Sequence, residues 1–200
     1  MGRPPAGTAL TATPERLLDA AEQEFARLGL RGARLEDIAA AAGIRRPSLL
    51  YHYPSKDLIY AAVVRRTFER LGAALIEAMA QPADFSARFD AVVASFAGFL
   101  ADHPALARVV VWELLDGQGP GRAILLDEVV PLLDLVERFA RIEGHAEIRR
   151  GLAVRAAILQ VASDVILRSA AAEFKAPLWG DADHTRALAR ALFFPDAGET

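Results

Sequence analysis

The chain has 200 residues, of which 53% are apolar, and its formal net charge is −3. This length allows one compact domain, or a small domain attached to a larger one, with enough apolar residues for a core. No stretch of about 20 residues is free of charge, so we expect no membrane span. The first residues lack the apolar segment of a secretory signal, and the absence of cysteine excludes disulfides, thiolate catalysis and cysteine-ligated metals. We therefore expect a cytoplasmic protein.

The N-terminal segment predicts an arm followed by a helix. Residues 1–13 are expected to form a disordered arm, because their composition offers little that could build a core. Thr13, Pro14 and Glu15 are typical of an N-cap, a first helical residue and a first-turn acid. A helix is therefore predicted to begin there and to end at Gly29.

Residues 34–56, RLEDIAAAAGIRRPSLLYHYPSK, predict two short helices separated by a tight turn. The first helix has one apolar face, with spacings of three and four residues between its members, Leu35, Ile38, Ala39 and Ala42. Gly43 supplies the positive φ that ends this helix, and Pro47 is tolerated only in the first turn of the next one, which should begin near Arg46. A helix, a tight turn and a short basic helix form a unit that fits the DNA major groove.

The charge distribution agrees with DNA binding by this segment. Residues 27–56 contain six basic and two acidic residues, a net charge of +4. The rest of the chain contains 17 basic and 24 acidic residues, a net charge of −7. This polarity suits a small DNA-reading head on an acidic body that phosphate repels.

The order of motifs around this segment resembles the N-terminal domain of the TetR family of transcriptional regulators. The resemblance covers roughly residues 14–60 and lies in ERLLDAAEQEFARLGLRG, LEDIAAAAGI and PSLLYHYPSKDLI. It implies a helix-turn-helix DNA-binding domain at residues 14–60 and a helical effector-binding and dimerisation domain at residues 61–200. Arg34 stands where the family usually has Thr or Ser, and Arg45 and Leu50 stand where it often has Ser and Tyr, so no operator sequence can be transferred from the family.

Arginines at the start of the second short helix are candidates for reading bases. Leu49, Leu50 and Tyr53 are expected to form its buried side. Arginine can bind O6 and N7 of guanine together, so Arg45 and Arg46 would favour a half-site that contains guanine. The alternative is that both arginines contact only phosphate. Ser48, on the same face, would bind a base or a phosphate.

Two further positions are candidates for contact with the phosphate backbone. Tyr51 and His52 match an aromatic-histidine pair to which the resemblance gives this role, and the alternative for His52 is packing between helices. Lys56 would place a cation in the first turn of a helix, where it opposes the macrodipole, and this becomes favourable only if a phosphate docks there. The alternative is an exposed lysine whose charge is partly offset by Asp57. The residues predicted to contact DNA are Arg34, Arg45, Arg46, Pro47, Ser48, Tyr51, His52 and Lys56.

The remainder of the chain is also predicted to be helical. Helix boundaries are marked by capping residues, prolines and glycines, and Pro131 should kink or split one helix. We predict an all-α fold of roughly nine helices, in which an N-terminal three-helix helix-turn-helix domain precedes a helical ligand-binding and dimerisation domain. The predicted helices of this part are 55–79, 84–102, 104–116, 122–143, 146–175 and 181–194, with GQGPG as a loop and APLWGD as a turn.

The resemblance implies that the second domain forms a homodimer and binds a small-molecule effector. Its last two helices would form an intermolecular four-helix bundle, with seam candidates Leu159, Val161, Ile166, Leu188, Leu192 and Phe193. The effector pocket would lie among the preceding helices, with wall candidates Phe96, Phe99, Trp112, Phe139, Gln160 and Asp164. Most aromatics at helical spacing are core residues, and the polar positions Gln160, Asp164 and Arg168 are either a buried network or a solvated stripe.

These observations favour a regulator over an enzyme. The four histidines are scattered and none shows a metal-ligand spacing, so neither a metal nor a cofactor is expected. We predict a sequence-specific DNA-binding regulator, most simply a repressor that releases a palindromic operator when an apolar or aromatic molecule binds. An activator of the same family remains an alternative, as does a helical adaptor or dimerisation protein without sequence-specific DNA binding.

Overall fold

The computed structural model describes residues 7–116 and 121–195, and every regular element in these ranges is helical, as predicted. The α-helices are α1 (Gly7–Gly32), α2 (Leu35–Ala41), α3 (Arg46–His52), α4 (Lys56–Met79), α5 (Phe85–Asp102), α6 (Pro104–Asp116), α7 (Gly121–Ile124), α8 (Val130–Glu143), α9 (Val154–Ala170), α10 (Lys175–Trp179) and α11 (Thr185–Phe193). A π-helical turn, Leu125–Val129, joins α7 to α8, and a 3₁₀ turn, Ala172–Phe174, precedes α10. Four residues of the predicted GQGPG loop, 117–120, lie outside the described residues.

The chain divides into two compact units, Met1–Thr67 and Phe68–Thr200. The division falls within α4, later than the domain boundary that the sequence predicted at residue 60. In the described ranges, no helix combines the length and the apolar character that a membrane crossing requires.

The first helix begins earlier than predicted. Helix α1 starts at Gly7 and contains Pro14, so residues 7–13 are helical and not part of a disordered arm; residues 1–6 lie outside the described residues. A proline within a helix loses the hydrogen bond of its missing amide and crowds the carbonyl four residues before it, whereas the alanines and leucine that precede Pro14 favour a helix. The helical path is broken at Gly29 (φ 68°, ψ 176°), where the sequence predicted its end.

The core of the first unit is formed by apolar faces of all four helices. Leu17, Ile38, Leu49 and Ile59 have no measurable exposure. The rings of Phe25 and Tyr60 meet edge to face, with centroids 5.2 Å apart.

A buried arginine adds an ionic link within the same unit. The guanidinium of Arg66 lies 3.3, 2.8 and 2.6 Å from carboxylate oxygens of Glu15, Asp19 and Glu22 on α1. Burial lowers the pKa of Arg66, but hydrogen bonds to Glu22 and Asp19 outweigh it, so the pKa is raised and the cation is retained. These ion pairs hold α4 against α1 through residues that are 44 to 51 positions apart, so no local pattern in the sequence predicts them.

In the second unit, a proline and a π turn divide a predicted helix. Pro131 lies in the first turn of α8, directly after the π turn Leu125–Val129. A proline has no amide to donate to the preceding turn, and the π turn accommodates this loss. The helix predicted over 122–143 is therefore split.

The helix predicted over 146–175 begins only at Val154, so this prediction is wrong for its first residues. Gly151 adopts a left-handed conformation (φ 74°) that other residues rarely take. The amide of Arg149 donates to the carbonyl of Phe193 at 2.7 Å, and its guanidinium donates to the carbonyl of Phe194 at 3.2 Å. These bonds satisfy the end of α11 and hold the segment before α9 out of a helix.

The C-terminal boundaries also differ from prediction. Residues 175–179 form the short helix α10, where the sequence predicted a turn. Helix α11 begins at Thr185, whose amide (2.9 Å) and hydroxyl (2.6 Å) donate hydrogen bonds to the carboxylate of Asp183 just before the N-cap residue His184. The core nearby is aromatic, with ring centroids 5.3 Å apart for Phe85 and Phe139 and 4.9 Å apart for Phe89 and Phe193.

Candidate nucleic-acid interface and effector cavity

Helices α2 and α3 form the predicted helix-turn-helix. The turn contains Gly43 at φ 71°, and the amide of Ile44 donates to the carbonyl of Ala39 at 2.9 Å, which satisfies the end of α2. Ile38 on α2 and Leu49 on α3 are both fully buried. Their burial fixes which face of α3 remains available.

The available face of α3 carries most of the predicted DNA-contacting residues. Tyr51 is 85% exposed, while His52 is half-buried with its ring edge to face against Tyr51. Leu50 and Tyr53 are only half-buried, so Leu49 alone anchors this helix completely. The residues exposed at the start of α3 are Arg45, Arg46, Pro47 and Ser48, and Arg34 is exposed at the start of α2.

The two adjacent arginines have different surroundings. Nε of Arg46 lies 2.9 Å from Oε1 of Glu36, in the first turn of α2. Arg45 makes no ion pair or side-chain hydrogen bond within the described part of the chain. Glu36 could not be predicted from the sequence, because a contact between neighbouring helices has no signature in sequence spacing.

Lys56 is held differently from either sequence-based expectation. Its ammonium donates to the carbonyls of Arg31 (3.4 Å) and Ala33 (3.2 Å), at the end of α1 and in the loop before α2. Ser55 accepts a hydrogen bond from the amide of Leu58 at 3.2 Å and so caps α4. The structural role of Lys56 is to satisfy these two backbone carbonyls. Contact between Lys56 and a phosphate remains a prediction.

Comparison with known proteins relates the helix-turn-helix segment to a known family. Residues 17–63 match the family model of bacterial regulatory proteins, tetR family. The helix-turn-helix segment is therefore similar to the DNA-binding region of the tetR family. This range contains α2, α3 and the beginning of α4.

Relatives support the assignment, and solved structures extend the likeness of the fold to the second unit. The HTH-type transcriptional regulator RutR of Escherichia coli K12 is 31% identical over 121 residues, which are 60% of this chain and 55% of RutR. The chain thus spans about half the length of the curated relatives it matches. The fatty acid degradation regulator FadR from Bacillus halodurans is 18% identical, with a TM-score of 0.70 over 90% of this chain and 92% of that one. FadR from Bacillus subtilis, solved in complex with stearoyl-CoA, is 19% identical, with a TM-score of 0.66 over 89% of this chain and 94% of that one.

The second unit contains a cavity of about 360 Å³ between α4, α5, α6, α8, α9 and α11. Its walls are aliphatic and aromatic, and among the described lining residues Ser163 is the only one with a polar side chain. Leu114 and Leu126, which also line it, are 70% and 56% exposed and therefore reach the mouth. The volume and apolar character are those of a small-molecule site.

The structure brings only part of the predicted pocket residues to this cavity. Phe96 and Phe139 line it. Phe99 instead stacks on His103, with ring centroids 4.2 Å apart, and Gln160 is exposed. Asp164 accepts a hydrogen bond from Nε1 of Trp179 at 2.8 Å. The side chain of Trp112 lies outside the described residues.

The predicted seam residues fall into three groups. Leu159 and Leu188 are 44% and 53% exposed, as a seam requires, and Leu192 is half-buried. Val161 and Ile166 line the cavity, as Leu159 also does. Phe193 is 2% exposed and packs on Phe89 of its own chain, which leaves it no surface for a partner.

The polar positions of α9 do not form one stripe. The buried Arg168 lies 2.9 Å from Asp183 and contacts the Thr185 hydroxyl, and it also forms a longer ion pair with Asp164, at 3.8 Å. Hydrogen bonds from the Thr185 hydroxyl and amide, together with Arg168, lower the pKa of Asp183 to about 2. This network joins α9 to the start of α11, and its members are not among the described residues that line the cavity.

Proposed function

We propose that this chain is a DNA-binding transcriptional regulator that inserts α3 into the major groove. The observation that carries the proposal is the division of α3: Leu49 is fully buried, while Arg45, Arg46, Ser48 and Tyr51 are exposed together. Arginines at the N-terminus of a recognition helix reach base edges, and arginine prefers guanine. Arg34, Pro47 and His52 complete the proposed contact surface, with Lys56 at its margin.

The regulator acts as a homodimer in this proposal. One recognition helix reads only a few base pairs, and two-fold pairing doubles the recognised sequence and makes it palindromic. The exposed side chains of Leu159 on α9 and Leu188 on α11 support a partner contact on these helices. Cytoplasmic location and a non-catalytic role belong to the same proposal.

The cavity supports control by a small apolar effector. Its lining offers no cation among the described residues, so a polyanionic group such as the phosphates of a coenzyme A would have no counter-charge inside it. A hydrocarbon chain or another neutral apolar molecule fits, with the Ser163 hydroxyl as the one polar contact. The volume of about 360 Å³ lies within the range of about 300–1,000 Å³ that small-molecule sites occupy.

Effector binding weakens repression only when the effector prefers the conformation with lower affinity for DNA. A tenfold loss of operator affinity requires about 1.4 kcal/mol of coupling between the two sites. This is within the ordinary range for regulators, so repression with release by the effector is the simplest form of the proposal.

DNA retardation in gels tests the first part. The full chain is titrated into duplexes covering the DNA that flanks its own gene, with scrambled duplexes of equal composition as the control. Sequence-specific retardation and a palindromic footprint are expected. Equal retardation of all duplexes, or none, would favour the alternative of a helical adaptor.

Thermal-shift screening of neutral apolar molecules tests the second part, and each stabilising molecule is then added to the DNA titration. At least one should both raise the melting temperature and lower operator affinity. If every stabilising molecule leaves operator affinity unchanged, the cavity is structural and the effector part of the proposal fails.

A further inference from the structure

The two arginines at the start of α3 are adjacent in sequence but are not equivalent. Arg46 has a carboxylate 2.9 Å from its Nε, supplied by Glu36 of α2. Arg45 has no such neighbour within the described residues. Both members of the Arg46–Glu36 pair are on the outside, with side chains 53% and 59% exposed.

In the ion pair with Glu36, Nε is the Arg46 nitrogen nearest to the carboxylate, 2.9 Å from Oε1. A guanidinium carries five N–H donors, one on Nε and four on the terminal nitrogens. With Nε facing Glu36, the terminal nitrogens remain available for O6 and N7 of one guanine, the bidentate contact by which arginine reads sequence. A carboxylate beside Nε also restricts the rotamers of a long side chain that would otherwise be free.

In water such an exposed pair contributes little to folding, since both charges are well solvated and screened. Its effect grows when DNA covers it, because removal of water strengthens interactions between charges. The pair is therefore placed to act on recognition more than on stability.

We propose that Glu36 is a positioning residue for sequence readout: it holds Arg46 in the orientation that binds a guanine, while Arg45 supplies attraction to phosphate that does not depend on sequence. This inference rests on the proposed DNA-binding function and assigns separate roles within it. Glu36 also brings a negative charge towards the DNA, which disfavours docking wherever Arg46 finds no guanine.

The test compares cognate and non-cognate DNA. The wild-type full chain first selects its preferred duplex from a randomised library, and dissociation constants are then measured on that duplex and on a scrambled one at several salt concentrations. The variants are Glu36→Gln, Arg46→Ala, Arg45→Ala and the double variant of Glu36→Gln with Arg46→Ala. Asp37→Asn is the matched control, since it removes the same charge from the same exposed turn of α2.

Glu36→Gln is expected to reduce discrimination between the two duplexes about tenfold, with the loss concentrated at the guanine position that Arg46→Ala also affects. Binding of Glu36→Gln to the scrambled duplex should be unchanged or tighter, because one negative charge is lost. Arg45→Ala should weaken binding to both duplexes alike and lower the salt slope by about one unit. Asp37→Asn should keep full discrimination, and Glu36→Gln should have no further effect on discrimination once Arg46 is alanine.

Other outcomes overturn the inference. Full discrimination by Glu36→Gln, with loss in Arg46→Ala, would show that Arg46 reads its base without Glu36. An additional loss in the double variant would show that Glu36 contacts DNA directly. If the wild-type chain selects no sequence at all, the proposed function itself fails, which is a separate result. Loss of folding is excluded by the same circular dichroism spectrum and melting temperature for each variant.

Discussion

Arg66 provides a quantitative test of how the first unit is held together. The change is Arg66→Ala, and Arg27→Ala is its control, because Arg27 also pairs with a glutamate of α1, at 2.7 Å, but is 64% exposed. The Arg66 side chain is only 9% exposed and contacts three carboxylates, of which Glu22 is 25% exposed and Glu15 and Asp19 are more than half exposed.

The magnitude follows from this difference in burial. Removal of one partner from a fully buried ion pair costs about 3–5 kcal/mol, because the remaining charge is left without compensation. Two of the three carboxylates of Arg66 can be hydrated after its removal, so we expect about 2 kcal/mol for Arg66→Ala. Arg27→Ala should cost less than about 0.5 kcal/mol, as exposed pairs do.

The assay uses the fact that the tyrosines and the tryptophans lie in different units of the chain. All three tyrosines, Tyr51, Tyr53 and Tyr60, are in the first unit, and both tryptophans are in the second. Urea unfolding followed by tyrosine signals and by selectively excited tryptophan therefore reports on each unit. Arg66→Ala should lower the tyrosine midpoint and should affect the tryptophan midpoint less. A loss no larger than that of Arg27→Ala would refute the argument from burial.

Three further predictions concern acid stability, assembly and Lys56. Because the pKa of Asp183 is lowered, its carboxylate stabilises the folded wild type relative to Asp183→Ala. This stabilisation is fully present at pH values above the ordinary pKa of 3.8 and is lost as the pH falls towards about 2. With an Asp183 side chain that is 65% exposed, the gain is discounted to roughly 1 kcal/mol, measurable as the difference in unfolding free energy. Leu188→Glu should convert the homodimer to a monomer in sedimentation at micromolar concentration, whereas Ile142→Glu, at a position with 64% exposure outside the proposed seam, should not. Lys56→Ala should lower the melting temperature, because the Arg31 and Ala33 carbonyls lose their donor; if it instead weakens binding to all DNA and leaves melting unchanged, the lysine acts on phosphate only.

Local features of the sequence were sufficient to predict the helix-turn-helix. Gly43 ends α2 and Pro47 begins α3 because each residue has its own backbone restriction, which acts wherever the chain goes. The same holds for the caps at Ser55 and Asp84, whose oxygens reach amides only three residues away. The excess of basic residues between residues 27 and 56 is likewise readable from the sequence.

Tertiary structure decided everything that depends on contacts between distant residues. Phe96 and Phe99 lie three residues apart on α5, yet only Phe96 reaches the cavity, because Phe99 stacks on His103. The start of α9 depends on bonds from Arg149 to the end of α11, and no pattern within residues 146–154 predicts them. The pairing of Arg46 with Glu36 joins two helices whose packing exists only in the fold. Periodicity identifies the face on which a residue lies, but the neighbour that meets this face is set by the packing of the whole unit.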